Sequence, residues 1–474
     1  MTLTFNEYRD FDALGLAQAI RRRDFSRREA LDAALSRLGD VNPEVNAVTY
    51  LHQAAVDQAG GEAQGPFAGV PYFIKDLHAP VAGMPLTHGS RLFVGNVPDF
   101  DSETVTRLRR AGFVILGRTA SPEFGMSAST EPALTGPTRN PWNLARSAGG
   151  SSGGAGAAVA SGILPASHAT DSGGSIRIPA SCNGLVGLKP TRGLQATGPH
   201  RGEAAHGLGH EHAVTRSVRD CAAILDATAG RDMGAPYFTA KPAEPYLQAL
   251  ARPPKRLRIA FTTHTFDGKP VDAECRAAVL GAVRLLQGMG HEVHEGSPVF
   301  DGAALGEATG TLLLTGLASN VAAREAQLGR AAREDELEAV TREAVQLGNK
   351  VTGLHYASRF NIINREVRRV AAFFENTDVL VTPTLASPPI ELGTLSSQTM
   401  RLDAFHAGMQ AFAPFTSVFN ATGQPAITLP LHWSADGLPI GVQFVGRFAE
   451  DTQLLQLAAQ LELAAPWFNR TPSV

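Results

Sequence analysis

The chain has 474 residues, of which 43% are hydrophobic and 18% are charged, and its formal net charge is −3. This balance is typical of a globular protein, and it excludes a disordered chain, which lacks the apolar residues needed for a core. A charge so close to neutral gives no indication of a nucleic-acid partner or of an anionic membrane surface as partner.

The first residues, MTLTFNEYRDFDALGLAQAI, have neither a basic start nor a long apolar run, and no later stretch has the length of a membrane span. They predict a cytoplasmic protein without a signal peptide and without a membrane partner. The three cysteines, Cys182, Cys221 and Cys275, lie far apart in the sequence. This spacing is typical of buried thiols in a reducing compartment rather than of a disulfide framework or a metal site.

Residues 1–60 have the pattern of an N-terminal helical segment. Ser26 and Glu29 form the sequence signature of a capping box, which predicts that a helix begins there. Its apolar face consists of Leu31, Ala34, Leu35 and Leu38. The sequence GDVNP at 39–43 predicts the end of this helix.

From residue 66 onward the sequence alternates between predicted strands and predicted helices. The strand candidates are the apolar runs at 67–77, 113–117, 256–263, 378–384 and 440–446. The helix candidates are 104–112, the first part of 272–295, which then continues into a strand, and 334–348. This alternation predicts an α/β fold with a mostly parallel or mixed sheet. We expect the stretches 195–210 and 251–256 to be surface connections, and no domain boundary is evident within 1–474.

The stretch SAGGSSGGAG at 147–156 has several possible interpretations. A flexible linker is disfavoured because the small, apolar sequence AAVASGILPA follows at once. A phosphate-binding loop would need a lysine after its last glycine or a spaced glycine motif after a strand. Residues 149–153 match the nucleophile elbow G-x-S-x-G, but the preceding TRNPWNLARSA at 138–148 has the composition of a loop rather than of a buried strand.

Four motifs in order carry a more specific signal. They are GVPYFIKD at 69–76, GGSSGG at 149–154, GGSIRIPAS at 173–181 and CNGLVGLKPTRG at 182–193. In this order they resemble the amidase signature family, and the resemblance extends from about residue 10 to the C-terminus. It implies a serine amidohydrolase with a twisted mixed β-sheet covered by helices on both faces. The last motif departs from the family pattern by an inserted residue, Asn183, at a turn that holds no expected catalytic group.

The resemblance implies that Ser175 is the nucleophile, Ser151 the bridging serine and Lys75 the base. A serine hydroxyl is a weak nucleophile until a base accepts its proton. Lysine can accept that proton only when it is neutral, so burial must lower its pKa, and the preceding residues Tyr-Phe-Ile fit such burial. The family also has a cis peptide bond before the bridging serine, which here is Gly150–Ser151.

The resemblance and the glycines at the nucleophile also predict an oxyanion hole and a set of supporting residues. The expected oxyanion donors are the backbone N–H groups of Ser172, Gly173 and Gly174. The expected supporting residues are Ser152, Thr170, Asp171 and Arg177. For Asp171 and Arg177 we expect charge-assisted hydrogen bonds that orient the loop rather than direct participation in catalysis.

The histidine-rich sequence HGLGHEH has a spacing that resembles a metal site. It contains His206, His210 and His212, but its two glycines favour a surface loop over the helix that would align zinc ligands. The sequence HEVH at 291–294 lacks the i, i+4 pair of histidines. The mechanism implied by the resemblance needs no metal and no cofactor.

The substrate is expected to be a small-molecule amide. Within the family, the segments around 138–154 and 178–193 most resemble stand-alone bacterial amidases, among them the 6-aminohexanoate cyclic dimer hydrolases. The catalytic motifs fall within 66–200, and the helical region 300–375 is expected to select the substrate. Four side chains are candidates for either an apolar pocket or the core: Phe73, Phe124, Met126 and Trp142.

Two other functions stay open from the sequence. The first is the A subunit of a glutamyl- or aspartyl-tRNA amidotransferase, which would use the same core to release ammonia from glutamine for a partner complex. The second is a binding protein without catalytic activity. A homodimer is one assembly that the sequence allows.

Overall fold

A computed structural model describes residues 3–58 and 64–474 of the protein. The strands are β1 (Val48–Leu51), β2 (Pro71–Lys75), β3 (Val114–Thr119), β4 (Arg139–Asn140), β5 (Asn143–Ser147), β6 (Ala166–Asp171), β7 (Val186–Lys189), β8 (His210–Thr215), β9 (Arg258–Phe261), β10 (Glu292–Glu295), β11 (Val379–Pro383), β12 (Ala426–Trp433) and β13 (Pro439–Gly446). The α-helices are α1 (Phe5–Arg9), α2 (Ala13–Arg22), α3 (Arg27–Val45), α4 (Gln53–Gln58), α5 (Glu103–Arg110), α6 (Gly153–Ala160), α7 (Arg177–Asn183), α8 (Val218–Thr228), α9 (Tyr246–Ala249), α10 (Ala273–Gly288), α11 (Gly302–Leu328), α12 (Ala339–Gly348), α13 (Gly353–Phe373), α14 (Leu402–Phe412), α15 (Ser417–Thr422) and α16 (Asp451–Ala464).

The main sheet has eight strands in the order β10-β9-β11-β13-β12-β7-β8-β6. Strand β9 runs parallel to β10 and to β11, and the other neighbouring pairs are antiparallel. A second sheet has the order β1-β3-β2. The α/β prediction and the mixed sheet are therefore confirmed.

Helices cover both faces of the main sheet. Successive residues of the central strand β11 point to opposite faces and pack against different helices. Val379 and Val381 of β11 pack with residues of α10 and α16. Leu380, between them, packs with residues of α11 and α13. A strand that is buried on both faces in this way appears in the sequence as a continuous apolar run, and DVLVTPT is such a run.

The capping box at the start of α3 is confirmed, but the predicted end of this helix is wrong. The Ser26 side chain accepts from the Glu29 N–H, and the Glu29 side chain accepts from the Ser26 N–H. The helix continues through Pro43 and ends at Asn46, which has a left-handed backbone conformation. A proline removes a single helical hydrogen bond, and here the cap at Asn46 lies a few residues beyond it.

The segment 138–148, which the sequence predicted to be a loop, contains the hairpin of β4 and β5. Asn140 fixes this hairpin, since its side-chain amide donates to the carbonyls of Ser147 and Cys182 at 3.0 and 2.8 Å. The asparagine that suggested a loop therefore bonds to backbone groups on neighbouring segments. All three cysteines are buried and unpaired, as predicted.

The two sheets meet where β2 lies beside β6. The Ser167 hydroxyl donates to the Phe73 carbonyl at 3.2 Å, and the Lys75 N–H donates to the His168 Nδ1 at 3.3 Å. This contact brings the end of β2 next to the end of β6. Within residues 3–58 and 64–474, no helix is both long enough and apolar enough to cross a bilayer.

Candidate active site

Lys75 is the last residue of β2, and its side chain is fully buried. Its Nζ lies 2.7 Å from the Ser151 Oγ and 2.9 Å from the Thr170 Oγ1. Thr170 is on β6, so the contact between the two sheets places a threonine hydroxyl and a serine hydroxyl around one amine. The lysine therefore has two hydroxyl neighbours at hydrogen-bonding distance.

Burial lowers the pKa of Lys75 well below its usual value, because the charged ammonium form loses its hydration. The carboxylates of Asp171 and Glu211 oppose this shift, but they do not reverse it. An amine with a lowered pKa has a free lone pair over a wider range of pH. Lys75 can therefore accept a proton from a neighbouring hydroxyl.

The glycine- and serine-rich segment is packed in the interior, which excludes the linker interpretation. Gly150 and Ser151 are joined by a cis peptide bond, as the resemblance implied. A Cβ at Gly150 would lie 2.4 Å from the Ser127 carbonyl oxygen, so the neighbouring backbone leaves no room for a side chain. Ser151 contacts a lysine rather than a histidine, which disfavours the nucleophile elbow. The Ser152 hydroxyl lies 3.3 Å from both the N–H and the carbonyl of Thr170.

Asp171 and Arg177 form an ion pair in which both side chains are fully buried. The Asp171 carboxylate accepts from the Arg177 Nε at 2.9 Å and from its Nη2 at 2.8 Å. It also accepts from the backbone N–H of Gly174 and of Ile176. The pair thus holds the loop that carries Ser175 from both of its ends.

Three polar residues from the C-terminal part of the chain complete the environment of Arg177. Its Nη1 donates to the Thr416 carbonyl and to the Gln443 Oε1, each at 2.8 Å, and its Nη2 donates to the Asn420 Oδ1 at 2.6 Å. Burial alone would raise the pKa of Asp171, but Arg177 and Asn420 hold it far below its usual value. The Asp171 carboxylate is therefore fixed in its charged form.

Ser175 lies on the wall of a cavity that also reaches Ser151, Ser172 and Gly173. The prediction that the Gly174 N–H is a donor of the oxyanion hole is not supported, because this N–H donates to the Asp171 Oδ1 at 2.7 Å. This bond takes the Gly174 N–H away from the cavity. Among the described residues, no acceptor bonds the N–H groups of Ser172, Gly173 and Ser175.

The cavity has a volume of about 1530 Å³. Most of the surface exposed to the cavity is apolar, and much of its wall comes from α11, α12 and α14. Of the four undecided side chains, Phe124 and Met126 line the cavity. Phe73 is buried in the core, and Trp142 packs against Trp433 with ring centroids 6.0 Å apart.

The prediction of a surface loop is wrong for two of the three clustered histidines. His210 and His212 are buried on β8, because the strand begins directly after the glycine at 209. His206 lies in a 3₁₀ turn, lines the cavity, and bonds through Nδ1 to the Tyr356 hydroxyl at 2.9 Å. The described part of the chain contains no group of three His, Cys, Asp or Glu side chains arranged to hold a metal ion.

Sequence reasoning missed a second layer of contacts behind Lys75. His168 accepts from the Lys75 N–H, and its Nε2 lies 3.4 Å from the Glu211 carboxylate. A neutral imidazole that accepts at Nδ1 carries its proton on Nε2, and in His168 this second nitrogen faces the Glu211 carboxylate. The alternation of side chains along β6 and β8 would place His168 and Glu211 on the same face, but this follows only when the register of the two strands is known.

A protein-family model described as Amidase matches residues 29–455. The chain belongs to the amidase signature family. It is similar to the 6-aminohexanoate-cyclic-dimer hydrolase of Paenarthrobacter ureafaciens, with 39% identity over 479 residues, covering 98% of this chain and 96% of that protein. It is also similar to the acylamidase of Rhodococcus erythropolis, with 34% identity over 474 residues and 97% coverage of each chain. A solved structure of 6-aminohexanoate cyclic dimer hydrolase matches with a TM-score of 0.93 and 39% identity, covering 98% of each chain.

The protein is therefore an amidase, a hydrolase that acts on amide carbon–nitrogen bonds. These similarities extend over both sheets and over the helices that line the cavity. The fold implied by the sequence motifs is thus the fold of the amidase signature enzymes.

Proposed function

We propose that this amidase uses Lys75, Ser151 and Ser175 as a catalytic triad. The observation that carries the proposal is the distance of 2.7 Å between the buried Lys75 Nζ and the Ser151 Oγ, on a cavity wall that also presents Ser175. The neutral amine accepts the Ser151 proton while Ser151 accepts the Ser175 proton. The Ser175 oxygen then attacks the carbonyl carbon of the amide.

The tetrahedral intermediate places a negative charge on the former carbonyl oxygen. In this proposal that oxygen accepts hydrogen bonds from the N–H groups of Ser172 and Gly173, and the Ser175 N–H is a third candidate donor. We assign the Asp171–Arg177 pair a positioning role, because the Asp171 carboxylate accepts from the Gly174 and Ile176 N–H groups on either side of Ser175. Ser152 and Thr170 would orient the base and the bridging serine.

Collapse of the intermediate breaks the carbon–nitrogen bond. The proton returns from the Lys75 ammonium through Ser151 to the leaving nitrogen, which departs as an amine or as ammonia. Ser175 then carries the acyl group as an ester. A water molecule repeats the attack, giving up its proton along the same route, and releases the carboxylic acid together with the free serine.

The substrate proposed is an aliphatic or aryl amide, linear or cyclic, of the 6-aminohexanoate type. The support is the large cavity with its apolar wall, together with the similarity to a 6-aminohexanoate-cyclic-dimer hydrolase. Helices α11 and α12 supply much of that wall, so the region 300–375 is proposed to select the substrate. The amidotransferase alternative has less support, because both relatives described above are named for amide hydrolysis.

The test is hydrolysis by the purified protein alone of a panel containing a nitroanilide, an aliphatic amide, glutamine, and linear and cyclic 6-aminohexanoate dimers. We expect turnover of at least one amide other than glutamine, lost by about 10⁴-fold or more in Ser175→Ala and in Ser151→Ala. Ser172→Ala is the matched control, because it removes a neighbouring hydroxyl and keeps the backbone N–H. Equal activity in Ser175→Ala would disprove the nucleophile, and activity on glutamine alone would favour the amidotransferase subunit.

A further inference from the structure

One charged side chain on the cavity wall lacks a partner. Arg201 is an exposed residue that lines the cavity, and its guanidinium forms no hydrogen bond and no ion pair with any residue in 3–58 or 64–474. Glu211 affects it only through charge at longer range, and the Glu211 carboxylate already faces His168. An arginine left without an acceptor beside a cavity is available to a ligand.

The other charged residues on the cavity wall are acidic, and each has a partner within the protein. These residues and their partners are Glu203 with the Tyr237 hydroxyl, Glu307 with the Arg359 guanidinium, Glu343 with the Leu402 N–H, and Asp403 with Arg401 and the Ala404 N–H. Arg201 differs from these four acidic residues, because no side chain in the described part of the chain bonds to its guanidinium.

His78 lines the same cavity as Arg201, is within range of its positive charge, and also has unused hydrogen-bonding capacity. It lines the cavity, and its Nδ1 is buried without a hydrogen-bond partner. Burial lowers the pKa of His78 well below its usual value, and the positive charge of Arg201 is the next cause. The ring is therefore neutral, with a donor nitrogen and an acceptor nitrogen.

The backbone of His78 has a φ of 61°, in the left-handed region that residues other than glycine seldom adopt. Phe124 and His206, which also line the cavity, share this conformation, with φ of 48° and 57°. Such backbone conformations persist where the surrounding structure enforces them, and they are concentrated at functional sites. His78 follows Lys75 by three residues and lines the cavity that also reaches Ser151 and Ser175.

We propose that Arg201 and His78 form a subsite that binds a carboxylate group carried by the substrate. A guanidinium presents paired N–H donors that match the two oxygens of a carboxylate. The neutral imidazole adds a further N–H without adding charge. The substrate class is an amide whose acyl chain ends in a carboxylate, such as a half-amide of a dicarboxylic acid. The position of the subsite in catalysis rests on the proposed function, whereas carboxylate binding does not.

The first experiment measures binding without turnover. Hexanoate and hexan-1-ol have the same six-carbon chain, contain no amide bond and differ in charge, and calorimetry gives the affinity of each for the purified protein. We expect hexanoate to bind about tenfold or more tightly than hexan-1-ol, and this preference to fall to within twofold in Arg201→Gln. Arg201→Lys should recover part of the preference. Arg276→Gln, which removes an exposed arginine of α10, is the matched control and should keep it in full.

His78→Asn tests the second member, since asparagine tolerates a left-handed backbone better than most residues. It should reduce the preference for hexanoate several-fold. Equal affinity for the two ligands in the unmodified protein would overturn the proposal, as would a preference that Arg201→Gln leaves unchanged.

The second experiment compares the mono-4-nitroanilide of adipic acid with the 4-nitroanilide of hexanoic acid, which differ in whether the chain ends in a carboxylate or a methyl group. The ratio of their kcat/KM values should favour the adipic anilide and fall about tenfold or more in Arg201→Gln. If neither anilide is hydrolysed while hexanoate binding depends on Arg201, the subsite stands and the proposed function fails. If both are hydrolysed with a ratio that Arg201→Gln does not change, the proposed function stands and the subsite is wrong.

Discussion

The two sides of the cavity are built differently. The catalytic side carries the proposed catalytic residues Ser151 and Ser175, and the helical side is formed by α11, α12 and α14. On the catalytic side, Arg177 and Asp171 are fully buried and bond to each other and to the backbone. On the helical side, Leu313 of α11 and Leu347 of α12 face the cavity and are 40% and 43% exposed. A buried polar network tolerates few changes because each unpaired group is costly. An apolar surface facing a cavity can exchange side chains of different shape, so the chemistry is fixed on the catalytic side and the helical side is free to vary.

The largest effect that separates the two sides is expected from Lys75→Met, which removes the proposed base while keeping an apolar side chain of similar length. The rate should fall about 10³-fold or more. In the unmodified protein kcat/KM should decrease as the pH falls through the lowered pKa of Lys75, because the protonated amine cannot act as a base. A pH profile of kcat/KM checks this. Activity that rose only as the pH approached the usual pKa of a lysine would contradict a base with a lowered pKa.

Replacing an arginine on each side compares their contributions to stability. Arg177→Met leaves the Asp171 carboxylate buried without its partner, which should lower the free energy of unfolding by about 3–5 kcal/mol. Arg359→Met breaks the ion pair with Glu307, whose side chain is 69% exposed, and should cost at most about 1 kcal/mol. Urea unfolding of both variants measures the difference. Equal losses would show that the two sides are not distinct in this respect.

The carboxyl of Glu123 connects the two sides, since it accepts from the Ser90 hydroxyl at 2.6 Å and from the Glu338 N–H at 2.9 Å. Burial, and then the neighbouring Glu338 carboxyl, raise the pKa of Glu123 to about 7. The folded protein thus holds this proton more tightly than the unfolded chain. The stability it contributes is present below the unfolded pKa near 4.5 and is lost as the pH rises through 7.

The loss amounts to about 3 kcal/mol for a shift of this size. Glu123→Gln should remove this part of the pH dependence, whereas the exposed Glu334→Gln should keep it. Unfolding measured between pH 4 and pH 8, with both variants in parallel, tests the assignment. A slope that Glu123→Gln did not reduce would place the proton on another group.

A glycine on each side gives the smallest expected difference. Gly150→Ala would bring a Cβ to 2.4 Å from the Ser127 carbonyl oxygen and should destabilise the protein by about 1–3 kcal/mol. An added Cβ at Gly310 of α11 meets no atom within 4 Å. Gly310→Ala should therefore stabilise the helix by about 0.5–1 kcal/mol. Thermal unfolding midpoints that move in opposite directions would confirm the comparison, and a decrease in both would contradict it.

The same contrast explains what the sequence could predict. The catalytic side is made of contiguous motifs, so Lys75, Ser151 and Ser175 could be selected before any fold was known. Long apolar runs such as those of β11 and β13 indicated strands correctly. Strands β6, β7 and β8 were missed, because polar residues interrupt their apolar pattern. His168 of β6 and Lys189 of β7 are buried beside partners on other strands, Lys75 of β2 and His210 of β8.

The supporting residues from the C-terminal part of the chain could not have been selected. Thr416, Asn420 and Gln443 acquire their role from contacts with Arg177 across more than 230 positions of sequence. The sequence predicted the Gly174 N–H to be an oxyanion donor, whereas this N–H donates to the Asp171 carboxylate. That bond depends on the conformation of the Asp171 side chain, which the sequence does not give. Neither a homodimer nor a cytoplasmic location is addressed by these contacts, and both stay predictions.

The contact between the two sheets, where β2 lies beside β6, affects how readily this part of the fold opens. The Lys75 N–H donates across it to the His168 side chain and the Ser167 hydroxyl donates to the Phe73 carbonyl, while the strand pairing of the described residues leaves β2 and β6 in separate sheets. Backbone ladders open cooperatively, whereas isolated side-chain bonds can break one at a time. The amide hydrogen of Lys75 should therefore exchange with solvent deuterium sooner than those inside the β12–β13 ladder. The proposed base and the proposed nucleophile would then be carried by parts of the fold that open separately.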